Sequence, residues 1–204
     1  MFSFFKKKPA PTPENPTPDA AAPARWVRDP EYTPEVVSAV GQDAATAAWK
    51  YASEFAFTHQ FKEELMNPSV PPTADQLTHP LIDELTDRAK PYWTEQVQRA
   101  ERGDMRAIEN LDVLQFSGWE ERVEVTMPGS NDLNLTQAIE GGRVDWDADA
   151  AEITVRFDYN ASFQMSARGH LINFHAVNKP TYWLAQQPGG GFKIDGFEGG
   201  LRIR

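Results

Sequence analysis

The clearest pattern along the chain is EITVRFDYNASFQM, residues 152–165. Ile153, Val155, Phe157, Tyr159, Ala161, Phe163 and Met165 alternate there with Glu152, Thr154, Arg156, Asp158, Asn160, Ser162 and Gln164. A period of two held over that length predicts a long strand with one buried and one solvated face. A turn over 166–169 leads into HLINFHAVNKPTYWLAQQ, residues 170–187, which predicts the returning strand. Pro180 falls inside that run and asks for a bulge or an edge position, because proline cannot donate to a ladder. Residues 188–191 turn the chain again, and GFKIDGFEGGLRIR, residues 191–204, reads as the last strand of an antiparallel hairpin.

Upstream the apolar period lengthens towards that of a helix. Thr33 is placed as an N-cap with Pro34 at the first helical position. Ala44, Ala48, Tyr51 and Phe55 recur at helical spacing, as do Phe57, Phe61 and Leu65. Gly41 divides a short lead-in from a long helix, which Asn67–Pro68 is expected to end. A second helix is predicted from Thr78, with Pro80 in its first turn and Leu81, Ile82, Leu85 and Ala89 buried. Pro91 kinks it or starts a third, which buries Trp93, Val97 and Ala100 and stops at Gly103. Beyond Gly103, NLDVLQFSG (110–118) and RVEVTMPG (122–129) read as strands, and GSNDLNLTQAIEGG (129–142) as a long connection holding a short element. Helices before strands predict an α+β domain, with N-terminal helices packed on a strongly curved antiparallel sheet that forms a cone. The helical part is 34–104 and the sheet part 105–204.

Residues 1–33 differ in kind. Seven of the first 30 residues are proline, which favours an extended, solvated linker. PAPTPENPTP would suit a proline-reading partner, but a plain spacer is the better reading of it. Phe2, Phe4 and Phe5 stand beside Lys6, Lys7 and Lys8, a combination that suits weak contact with an anionic membrane surface or with a partner. The three lysines follow the aromatic residues, an order that does not fit a secretory signal.

Charge and cysteine narrow the function classes. A formal net charge of -10 works against nucleic-acid binding, which needs a basic patch to neutralise phosphates. No cysteine is present, so thiolate chemistry and disulfides are excluded, in keeping with a reducing, cytoplasmic setting. No apolar run is long enough to span a bilayer. No phosphate-binding glycine loop, nucleophile elbow or zinc signature occurs.

The closing phrase TYWLAQQPGGGFKIDGFEGG, residues 181–200, resembles the last hairpin of the nuclear transport factor 2-like superfamily, the cystatin-like α+β cone. The order of elements over residues 40–204 is similar as well, while the segment between Met127 and Val144 is longer than that pattern. The resemblance implies a conical fold whose sheet wraps a pocket, catalytic in some members and not in others. Relatives include small isomerases and dehydratases, the membrane-facing domain of the mitochondrial import-motor anchor, and assembly domains of bacterial conjugation machines. Fold likeness does not choose among them.

Two functions are therefore expected. The first is a non-enzymatic binding or assembly domain with a protein or small-molecule partner and no cofactor, able to form a homodimer and tethered by its tail. Phe157, Phe163, Trp183 and Phe197 are its candidate pocket residues. The second is a small-molecule isomerase or dehydratase using His175, Tyr159 and Asp195 inside the cone, His175 and Asp195 as base and orienter. His170 and His175 are five apart, wrong for one strand face, so no metal pair is expected. Asp145, Asp147 and Asp149 alternate as in a calcium loop but lack its glycine and final glutamate, and read as an acidic turn.

Overall fold

The computed structural model describes residues 25–61, 75, 81–116, 125–126, 136–167 and 170–203. The expectations for Phe2, Phe4, Phe5 and Lys6 to Lys8 lie outside these residues, as do those for Leu65, Asn67–Pro68 and the Thr78 cap.

Helix α1 is Pro34–Val40 and α2 is Gln42–His59. Thr33 caps α1 as the sequence predicts, its hydroxyl accepting from the Val36 N–H at 3.4 Å. Gly41 separates the two helices at φ 85°, a conformation open to glycine and costly for most other residues. Over the described residues from Leu81 on, the helix expected to run to Ala89 gives way to a single 3₁₀ turn, Ile82–Glu84. Leu85 is extended instead and forms a bridge to Ile194. Leu81, Leu85 and Ala89 are still buried; their apolar spacing reports burial and not helix. Helix α3 is Ala89–Glu101, with Pro91 inside its first turn, and it buries Trp93, Val97 and Ala100.

Helix α4, Met105–Asp112, occupies part of the run read as a strand. Its signals are the Asp104 carboxylate, which accepts from the Arg106 and Ala107 N–H groups, and the buried spacing of Ala107, Ile108 and Leu111. The alternation in NLDVLQ is only its last turn seen out of frame.

One open sheet contains all nine described strands. Its centre is β5, Glu152–Ala167. On one side β5 pairs with β4, Thr136–Asp147, and further along with β3, Val125–Thr126. The stretch taken for a connection is thus a twelve-residue strand. On the other side β5 pairs with β6, His170–Asn178, and β7, Thr181–Gln186. These are two halves of one row interrupted at Lys179–Pro180, where the sequence predicts a bulge. The final strand is interrupted opposite that point: β8, Phe192–Glu198, pairs with β7, and β9, Leu201–Ile203, pairs with β6. Gly199, at φ 147°, lies at the break, where an added Cβ would stand 2.6 Å from the Lys179 carbonyl oxygen. These pairings are antiparallel.

Residues 25–32, grouped by composition with the tail, add two short strands. β1, Arg25–Val27, and β2, Glu31–Tyr32, run parallel to β4. Thr33 secures the junction by donating from its hydroxyl to Asp145 at 2.9 Å.

The alternation on β5 works as predicted over its described side chains. Ile153, Val155, Phe157, Tyr159 and Ala161 are buried, whereas Arg156 is exposed and the other even-numbered residues are half-buried. The buried face meets α2. Trp49 stands edge-on to Phe157 with centroids 5.8 Å apart, and Phe55 stands edge-on to Tyr182 at 5.6 Å. Close approach of Trp49 is possible because β4 bulges between Glu140 and Arg143. At Gly142 an added Cβ would lie 2.2 Å from the indole.

Candidate binding site

The residues singled out from the sequence occupy different faces. Phe157 and Tyr159 are on the helix-facing side of β5. Phe197 sits opposite Tyr182 and packs against Tyr92 and Trp93 of α3, at 5.7 and 5.9 Å. Phe163 belongs to β5, and its side chain lies outside the described part. Trp183 points to the other face, where its indole N–H donates to Asp147 at 3.3 Å.

His175, exposed on that same outer face, shares a hydrogen bond with Ser162 at 3.0 Å. Asp195 is the extra residue of a bulge in β8, accepts from the Thr86 hydroxyl and pairs with Arg88. Arg88 also reaches Glu152 at 2.7 Å, so this cluster clamps the segment before α3 to the end of the sheet. The rows of His175 and Asp195 meet β5 near Ser162 and Thr154, separated by about 26 Å at the ordinary strand rise. His175, Tyr159 and Asp195 are not brought together.

A different group of side chains does converge. Tyr159 faces Ile139 on β4 and Asn178 on β6, and the next row on the same face is Gln137, Ala161 and Ala176. Gln137 is thus the diagonal neighbour of Tyr159, about 7 Å away at the backbone. Above them lie the end of α2 and the segment after α4. Phe61 stacks on Tyr159 with centroids 5.8 Å apart and touches Phe116 at 5.7 Å. The Gln60 side chain accepts from the Asn178 amide at 2.8 Å and donates to the Asp112 carbonyl at 2.7 Å. The Asn178 amide also donates to the Val113 carbonyl at 2.9 Å.

This network leaves groups over. Gln115, Gln137, Tyr159 and Asn178 are all fully buried. Both amide atoms of Gln137 and of Gln115, the Tyr159 hydroxyl and the Asn178 carbonyl oxygen have no hydrogen-bond partner among the described residues. Each such group costs about 1–3 kcal/mol when removed from water unpaired. Burial holds the Tyr159 phenol well above its ordinary range, partly offset by the charge of Arg25; it is a neutral donor at pH 7. Arg25 is the row partner of Gln137 on β1, and its guanidinium lies 5.6 Å above the Phe57 ring.

Sequence reading found Tyr159 and missed the amides. Gln115 and Gln137 stood in stretches assigned to the wrong element, so their faces were not readable. An open depression of about 370 Å³ also lies at the β4–β5 turn, lined by Asp145, Asp147, Asp149 and Thr154. Asp145 and Asp147 are already occupied by Thr33, Arg143, Trp183 and nearby backbone N–H groups. No helix among the described residues is long and apolar enough to cross a membrane. Comparison with family models, with curated proteins and with solved structures gave no match.

Proposed function

We propose that this chain is a non-enzymatic binding or assembly domain, cone-shaped in the manner of the nuclear transport factor 2-like superfamily and tethered by its proline-rich tail. The observation that carries the reading is the set of unpartnered buried amides around Tyr159. Groups that cost stability and join no internal network are retained where something else completes them. Neutral amides and a protonated phenol recognise a ligand by donating and accepting, without a proton to exchange near pH 7. Engagement of His175 with Ser162, and of Asp195 with Thr86 and Arg88, supports binding over isomerase or dehydratase chemistry. The two bulges and the paired breaks at Pro180 and Gly199 favour a strongly bent sheet. A homodimer, and contact of the first eight residues with an anionic membrane, belong to the same proposal.

Ligand-observed NMR with a small fragment library on the full chain tests the site. Fragments should bind the native chain, remain chemically unchanged, and lose binding in Gln137→Leu while the fold persists. Binding indifferent to that substitution would sink the reading. For the tail, co-sedimentation with anionic vesicles at low salt should weaken when residues 1–8 are deleted; equal sedimentation removes membrane contact from the proposal.

A further inference from the structure

Strand β1 lies at one edge of the sheet, paired with β4 along one side and with no described strand along the other. Arg25, Trp26, Val27, Arg28 and Asp29 are all exposed. Among the described residues the large apolar side chains left exposed are Trp26, Val27, Tyr92 and Met105, and the first two are neighbours on this strand, 49% and 42% exposed. The Arg28 N–H donates to the Ile139 carbonyl at 2.9 Å. Successive residues of an extended strand turn their backbone groups to opposite sides. Trp26 therefore points its N–H and C=O at β4, while Arg25 and Val27 hold theirs towards solvent. Charged residues, lysine above all, commonly guard such an edge because two copies repel each other there. RWVRD, residues 25–29, carries both signs instead. Arg25, Arg28 and Asp29 form no ion pair among the described residues, so their charges are available to a second molecule.

We infer that this edge is a homodimer contact, in which β1 of one copy pairs antiparallel with β1 of a second copy about a two-fold axis at Val27. Val27 then faces Val27 of the second copy, and the two exchange both backbone hydrogen bonds through groups that β4 does not use. The same register sets Arg25 opposite Asp29 at each end, an opposite-charge pair. It also sets Trp26 opposite Arg28, a guanidinium against an indole. Neighbouring registers lose these pairs. An axis at Trp26 sets Arg25 against Val27, and an axis at Arg28 brings two like charges together. A two-fold contact uses one patch twice, so the strand that makes it must complement itself. A contact this short buries well under the roughly 1,200–2,000 Å² of a standard interface, which makes the dimer weak and concentration-dependent. The inference rests on the homodimer of the proposed function and gives it a surface; the amide cluster takes no part in it.

The test is sedimentation velocity of the full chain from about 10 µM to about 1 mM, the range of a weak contact. The sedimentation coefficient should rise with concentration, and rise less when salt is added. Arg25→Asp alone, or Asp29→Arg alone, should weaken association at least tenfold, because each sets like charges opposite one another. The two substitutions together should restore it, because the pair survives with its signs exchanged. Val27→Pro removes the outward N–H and leaves the bonds to β4 in place, so it should abolish the dimer while the dilute chain melts as before. The charge variants change exposed side chains and test the contact even if the proline variant fails to fold. A dimer undiminished in the charge variants overturns this surface and leaves the homodimer standing on another. Loss in both single variants without recovery in the double overturns the register at Val27. A native chain that stays monomeric throughout overturns the surface and the homodimer together, and leaves the edge to a strand of another protein; the fragment screen of the amide cluster is decided separately.

Discussion

Single atoms decide much of what this molecule can do. The Tyr182 hydroxyl is fully buried with no partner among the described residues, and burial holds its phenol well above the ordinary range. It lies on β7, within electrostatic reach of Tyr159, and Tyr182→Phe is expected to stabilise the chain by about 1 kcal/mol, read by urea denaturation. A loss of stability there would reveal a partner for the hydroxyl. Asp147 shows the opposite case. The Ala150 backbone N–H and the Trp183 indole hold its carboxyl below the usual range. A carboxyl whose pKa is lowered by folding contributes stability above its unfolded value, about 3.9, and loses that contribution as pH falls through the native value. Melting temperatures measured from pH 5 to pH 2 should therefore decline less steeply in Asp147→Asn than in the native chain.

At the scale of elements, legibility followed how local the deciding contact is. The Thr33 cap, the Gly41 break and the alternation from Glu152 to Ser162 are set by the residues themselves, and each was readable. The 3₁₀ turn at Ile82–Glu84 was not, because Leu85 is drawn into extended form by Ile194, more than a hundred residues away. α4 was missed for another reason: Asp104 as its cap and the Ala107–Ile108–Leu111 stripe were present, but two apparent alternations downstream outweighed them. The faces of Gln115 and Gln137 were lost with their elements. Only pairing with Ala161 places Gln137 on the buried side. The β4 bulge offers a test at this scale. Gly142→Ala would drive a methyl into Trp49 and should cost about 1–3 kcal/mol, measured by chemical denaturation. Trp49→Phe in the same chain should recover part of it, and an undiminished loss in the double variant would separate the two residues.

Across the whole molecule, the order of the chain and the order of the sheet run against each other. β1 and β2 precede every described helix, yet they dock on β4, and Thr33 meets Asp145 across 112 positions. Ribosomes add roughly 5–20 residues per second. Arg25 therefore leaves the ribosome roughly 6–22 s before Gln137, its partner in the row. From the completion of α2 to the end of that interval, α1 and α2 exist without the sheet that covers Trp49, Phe55 and Phe61. Pairings of such long range also close slowly after release. The buried amide cluster is thus completed by the latest folding events although its row includes some of the earliest residues made. A chain halted before β4 would present a bare aromatic helix, the kind of surface that holding chaperones recognise.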